Sequence, residues 1–353
     1  MSLSVPSQNH STLLNDDTVS WIRTSRSTGW LISPAYDLFL IANCAWPLLL
    51  LWQWQDGFAG RSGLQFWQVY FVTTPHRWIT LGLVLLDRER LKESGSLFAG
   101  IAIAVLAICL GIRLGTGTLT CLLTIDYLWN AWHFAAQHQG IYQIYRREAA
   151  RQNSRPVQQV SGTRASLGEQ TAKWAFRGFW LYVALRVAGV TWANEPWEAT
   201  LQTLDGCALI IPVSLLGGAM LTRHKASWGQ LAYLASVMIL ASSLLAAVHL
   251  RKPAWVVSLA TASALFHATE YLAIVGWSVK RRAAARGERL GALAWLAPRW
   301  GFTVILFMGM LGSAGWLMDQ NLLEIWLFLN VVAAFLHYAY DGIIWRKPRK
   351  AIT

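Results

Sequence analysis

Eight histidines occur in the chain, and five of them, His76, His133, His138, His267 and His337, lie inside long apolar stretches. Ionisable side chains in such stretches are expensive, so they face an interior and serve function. Carboxylates accompany them. Glu270 follows His267 by three residues and Asp341 follows His337 by four, so on a helix each pair shares a face. His-x-x-Glu and His-x-x-x-Asp are spacings with which one helix supplies two metal ligands, or one ligand and the acceptor that orients it. Asp126, Asn130, His133 and Gln137 recur at i, i+4, i+7 and i+11, which makes a single polar stripe. His138 is five residues beyond His133, about 140° round the helix, so one ion reaches both only where the helix is distorted, as Gly140 would permit. Pro75 frees a carbonyl one turn before His76, and broken helices at membrane depth line sites. Arg77 beside it cannot face lipid.

The donor types select the chemistry. Imidazole with carboxylate and without thiolate suits non-haem iron, zinc or manganese. The donors suffice for one ion with an open position or for two ions. Two other readings use the same side chains. A bis-imidazole haem would take His133 with His267 or His337, and a proton or metal-ion pathway would use the His, Asp and Glu groups transiently. The four cysteines, Cys44, Cys109, Cys121 and Cys207, are scattered through apolar runs and read as buried packing residues. His10, His224 and His249 lie in the tail, a loop and a helix end, where ordinary structural roles suffice.

The elements that must position these groups are membrane spans. Of 353 residues, 55% are apolar and only 14% charged, against about 25% charged in a soluble domain. That excludes a soluble enzyme, a disordered chain and a disulfide scaffold. The expected fold is all-α, a polytopic membrane bundle of about ten helices, each of ~20 apolar residues. The spans are 36–54, 65–86, 97–114, 119–145, 174–192, 204–221, 228–250, 254–279, 300–318 and 322–345. Residues 1–30 form a tail, 31–345 one transmembrane domain with a flexible polar loop at 146–173, and 346–353 a second, basic tail.

The formal charge is +12, and its placement orients the bundle. With ten crossings, 23 of the 30 Lys and Arg residues fall on one side, among them Arg88, Arg90, Lys92, Arg146, Arg147 and Lys280 to Arg282, and four on the other. By the positive-inside rule both termini are cytoplasmic, in a bacterial-type inner membrane. The basic face suits anionic lipid and removes the argument for nucleic acid as a partner. Many of the 21 tryptophans, such as Trp52, Trp67 and Trp255 outside and Trp30, Trp228 and Trp345 inside, sit at the expected boundaries. Gly309, Gly312 and Gly315 in span 9 and Gly217 and Gly218 in span 6 read as close helix packing. All five intramembrane His lie on even-numbered spans, roughly 8 to 13 residues from their cytoplasmic ends. At about 1.5 Å per residue this is one layer ~12–20 Å from the inner face.

This architecture, with single histidines at a common depth on several helices and one directly after a proline at Pro75-His76, resembles the bacterial membrane-embedded β-carotene dioxygenase family, which is related to the bacteriorhodopsin-related proteins. The resemblance implies iron held by intramembrane imidazoles. Arg77 and Thr80 stand here where that family has a Gly and an Asp after its Pro-His. The His-x-x-x-His and His-x-x-His-His clusters of membrane desaturases are absent.

The resulting expectation is a metal-dependent oxidoreductase whose ligands are His76, His133, His267 and His337, with His138 in the same layer. Glu270 and Asp341 act as ligands, acceptors or proton carriers. The cofactor is iron, mono- or dinuclear, with zinc or haem as alternatives. The substrate is lipophilic, such as an acyl, isoprenoid or carotenoid chain, because a site buried among helices is reached from lipid more easily than from water. The alternatives are an ion transporter and a haem-binding or structural subunit of a membrane complex. Homo-oligomers are compatible with all of these.

Overall fold

The computed structural model describes residues 29–55, 63–153, 167–189, 195–221 and 227–345. Among these residues there is no strand, and the fold is all-helical. A short helix α1 (Pro34–Tyr36) leads through a π-helical turn (Asp37–Ile41) to α2 (Trp46–Gln55). α3 (Leu64–Trp67) continues through a π-helical stretch (Gln68–Thr73) into α4 (Thr74–Leu86). Then follow α5 (Arg88–Thr116), α6 (Thr120–Asn153), α7 (Leu167–Ala188), α8 (Glu195–Ala208) and α9 (Ile210–Leu221). The chain closes with α10 (Trp228–His249), α11 (Pro253–Arg286), α12 (Ala292–Leu296), α13 (Trp300–Asn321) and α14 (Leu323–Ile344).

The ten expected segments are mostly helical over their described residues, but the first is broken at 42–45 and the sixth at 209. Five helical stretches are long and apolar enough to cross a membrane: α5, Trp197–Leu221, α10, Ala292–Asn321 and α14. The bent pair Pro34–Ile41 and Trp46–Gln55, 50° apart, makes a sixth if counted as one span. α6 and α11 are long, 34 residues each, but carry the polar groups of the histidine layer, which lower their apolar content. α4 is 13 residues because the π-helical stretch interrupts its α-helical pattern. The polar residues that make these elements interesting are thus the ones that weaken their signature as spans.

Local chemistry sets the helix limits. Asp87 caps α5 by accepting from Arg90 N, and its carboxylate also holds Arg282 of α11. Gly117, with φ of 69°, ends α5 in the left-handed region that glycine tolerates best. Ser227 caps α10 by accepting from Gln230 N, and Pro253 opens α11, where its missing N–H is no loss. α6 runs on to Asn153 and α7 starts at Leu167, so both ends of the expected 146–173 loop are helical. The middle of that loop and the tails at 1–28 and 346–353 lie outside the described residues.

The main core joins α6, α7, α10 and α11 through Tyr145, Phe176, Phe179, Tyr233 and Phe266. α4 packs on α14, whose Leu336 and Tyr340 meet Val84 and Phe98. Burial separates inner from outer helices: 61% of the apolar stretch of α10 is buried but 11% of that in α5 and in Ala292–Asn321. Two glycines of α13 are closely approached, Gly312 by Phe71 and Gly315 by Trp326, whereas Gly309, Gly217 and Gly218 face open space. The close-packing expectation therefore holds at two positions only. The cysteine expectation also needs correction: Cys109 is buried, but Cys44, Cys121 and Cys207 are exposed. Cys121 and Cys207 sit on outward faces of α6 and α8, and Cys44 in the turn before α2, rather than in the core.

Candidate metal centre

Four helices deliver the five histidines to one place: His76 from α4, His133 and His138 from α6, His267 from α11 and His337 from α14. The rings touch in sequence. Centroids are 4.6 Å apart for His133 and His337, 5.1 Å for His76 and His337, and 5.3 Å for His267 with either His76 or His133. His138 lies 5.8 Å from His267. None of the five rings, nor Glu270 or Asp341, is more than 8% exposed. Burying seven ionisable groups together is costly unless they are paired or hold an ion.

The donors fall into two groups: His133 with His337 and Asp341, and His138 with His267 and Glu270. Each is two imidazoles and one carboxylate. His133 and His138 stand on different faces of an unbroken α6, so they serve different groups. In the first, the Nε2 atoms of His133 and His337 are 3.0 Å apart, and Asp341 Oδ2 is 3.9 Å from each. The point equidistant from these three atoms lies about 2.1 Å from each, the bond length of a transition-metal ion to nitrogen or oxygen ligands. The rings are also held from behind. His337 Nδ1 meets Thr80 Oγ1 at 2.6 Å, Thr80 meets the Tyr271 hydroxyl at 2.6 Å, and Tyr271 donates to Asp341 Oδ1 at 2.6 Å. His76 Nδ1 is placed by the Thr73 carbonyl, in the helix turn that the π-helical stretch and Pro75 loosen.

In the second group, Glu270 takes a bond from the Tyr233 hydroxyl at 2.8 Å on one oxygen and from Gln137 Nε2 at 2.8 Å on the other. His138 Nδ1 is 2.9 Å from Glu270 Oε1 and 3.1 Å from Tyr233 Oη. His267 Nδ1 is 3.9 Å from the same Glu270 oxygen. Both ring nitrogens of His267, and Nε2 of His138, have no hydrogen-bond partner among the described residues. An unsatisfied buried donor costs about 1–3 kcal/mol. These donors fit a cation better than they fit one another.

Next to the first group, Tyr338 donates to Asp126 and Asn130, and Arg77 stands 3.6 Å from Asp126. The stripe on α6 therefore divides: Asp126 and Asn130 pair with α14 and α4, and Gln137 with α11. Arg177 bonds Gln139 and lies over Trp132 and Trp174. Arg186 is held by both oxygens of Asp205 at 2.8 Å, with Tyr182 at 2.6 Å and His249 at 3.2 Å from the same carboxylate. A cleft of about 770 Å³ opens beside this ion pair, walled by Leu123, Tyr127 and Leu128 of α6, Leu185 of α7, and Trp197 and Leu201 of α8.

Sequence reasoning missed Thr80, Tyr233 and Trp180. Thr80 and Tyr233 orient the donors, and Trp180 stacks on His138 at 4.8 Å. Thr80 carries a detectable signal, four residues after His76 on the same helix. Tyr233 and Trp180 reach the centre from helices without an intramembrane histidine, and nothing local marks them. Tyr271 and Tyr338 do more than pack. Comparison with known proteins finds no family model, no curated protein and no solved structure that matches this chain.

Proposed function

We propose that this protein is a membrane-embedded, metal-dependent oxidoreductase that uses non-haem iron on a lipophilic substrate. The observation that carries the reading is the triangle of His133 Nε2, His337 Nε2 and Asp341 Oδ2, with its centre about 2.1 Å from each atom. Two imidazoles and one carboxylate with further positions open is the donor set of non-haem iron(II) oxygenases. Bound iron would supply the capacity to activate dioxygen or to accept an electron. The chain's own residues do the rest. His76 lies outside both donor groups, its ring centre 5.1 Å from that of His337, and would serve as a further donor only by turning toward the ion. Asp341, Tyr271 and Thr80 form an unbroken hydrogen-bonded line along which a proton passes to or from the His337 edge. Glu270 with Tyr233 is the matching proton carrier on the other side.

Close packing favours a bare ion over a porphyrin. Phe134 stacks on His267 at 3.7 Å, and the His76, His133 and His337 rings meet edge to face, which leaves no flat slot between facing imidazoles. The cleft beside α6 supports a lipophilic substrate. Tyr127 on its wall shares a face of α6 with Phe134 and His138, seven and eleven residues further on. An acyl or isoprenoid chain in the cleft would thus lie along the face that leads to the centre.

The membrane setting completes the reading: ten crossings in an inner membrane, both termini cytoplasmic, and the centre in the cytoplasmic half. The distribution of 23 cations on one side supports it. The decisive experiment is elemental analysis of gently extracted protein with a visible spectrum. Near-stoichiometric iron without a Soret band is expected. A Soret band would favour haem, and protein free of metal and haem would favour ion transport. A reporter fused after Lys350 should read cytoplasmic, and a periplasmic signal would reject ten crossings.

A further inference from the structure

His267 differs from His76, His138 and His337 of the cluster. His337 has Nδ1 on Thr80 and Nε2 against His133, His76 has Nδ1 on a carbonyl, and His138 has Nδ1 between Tyr233 and Glu270. His337 and His76 thus have one edge fixed by the protein, the usual arrangement of a histidine that ligates through the other edge, whereas His138 turns Nδ1 to Glu270 and leaves Nε2 without a partner among the described residues. His267 is fully buried, and neither of its nitrogens has a hydrogen-bond partner among the described residues. It is not loose: Phe134 stacks on its face at 3.7 Å, and the rings of His76 and His133 stand across from it at 87° and 88°.

Its position explains the orphaned edges. Nδ1 is directed to the His138 and Glu270 group, 3.9 Å from Glu270 Oε1. Nε2, the ring's other edge, is also without a partner among the described residues, and the His76 and His133 ring centres are each 5.3 Å from that of His267. A neutral imidazole between one ion and no other partner would leave an N–H without an acceptor. An imidazole between two ions leaves nothing unsatisfied, because it gives up its proton and offers a lone pair from each edge.

We infer that His267 bridges two metal ions, Nε2 facing the ion of the His133, His337 and Asp341 group and Nδ1 facing that of the His138 and Glu270 group. The inference rests on the metal-centre reading above and adds the number of ions and the link between them. Such a bridge keeps the ions farther apart than the ~3.5–4 Å of two-metal sites that share an oxygen, because the ring itself lies between them. The two ions are then coupled through one side chain, so a change of charge at one is felt at the other.

The test is titration of the full-length, detergent-purified apoprotein with Co(II) alone, followed by its ligand-field absorption. The wild type should saturate at two equivalents and His267→Phe, which keeps a flat ring against Phe134, at one. Saturation of the wild type at one equivalent would overturn the bridge and leave the metal centre standing. No binding at all would remove both. Two equivalents in His267→Phe would also overturn the bridge. Should that variant fail to accumulate, X-ray absorption and paramagnetic resonance of the dicobalt wild type decide. Weakly coupled ions with no metal–metal vector at ~3.5–4 Å are expected, and a short vector or wholly uncoupled ions would reject the proposal.

Discussion

Thr80 Oγ1 lies 2.6 Å from His337 Nδ1, so a hydroxyl on α4 fixes which edge of an α14 imidazole turns toward His133. Thr80 is four residues after His76, so one helix both brings a donor and orients a second donor from another helix. The same hydroxyl meets Tyr271, which holds Asp341. Two of the three atoms of the first donor triangle are thus set by one threonine.

Thr80→Val keeps the shape and removes the hydroxyl. Loss of a hydrogen bond that orients a ligating histidine lowers metal affinity about 10–100-fold. Competition against a chromophoric chelator on purified protein measures this. Affinity within twofold of the wild type would show that Thr80 only packs.

His267, Glu270, His337 and Asp341 were legible in the sequence because helical spacing places each pair on one face, and apolar surroundings make charged groups conspicuous. The division of the donors was partly legible too, since the five-residue step from His133 to His138 turns by about 140°. Tyr233 and Trp180 were not. They come from α10 and α7, and which helix stands beside α6 and α11 is decided by packing of Phe176, Phe179 and Phe266 rather than by any local pattern. The fate of Arg186 was hidden for the same reason, because its partner Asp205 lies on α8. The π-helical stretch before Pro75 was legible only as a break.

Tyr233 shares one hydroxyl between Glu270 and His138. Tyr233→Phe leaves a buried carboxylate oxygen without its donor, at a cost of about 1.5–3 kcal/mol. Thermal unfolding in detergent should show a lower Tm for the apoprotein. Loading with metal should restore much of it, because a ligand that binds only the folded state stabilises it. An unchanged Tm would mean that water replaces the hydroxyl.

Protons and metal compete for the same imidazole lone pairs. Metal affinity should therefore fall once the pH is low enough for the cluster's imidazoles to take up protons. The sign follows from the donors: binding displaces protons, so lower pH opposes it. Isothermal titration calorimetry in buffers of different ionisation enthalpy counts the protons released. Affinity that stays constant down to a pH at which the apoprotein's imidazoles are protonated would argue that the histidines are not the ligands.

The Arg186 and Asp205 pair is a separate structural unit, and the last expectation is that the two can be told apart. Both side chains are buried, Asp205 is 1% exposed, and it takes two bonds from Arg186, one from Tyr182 and one from His249. Asp205→Ala removes that carboxylate and strands a buried guanidinium, which costs about 3 kcal/mol or more. Asp205 lies on α8, which carries none of the histidine-cluster donors. Tm should therefore fall while metal stoichiometry stays that of the wild type. Loss of bound metal in folded Asp205→Ala would mean that the cleft beside Arg186 and the histidine cluster act as one site.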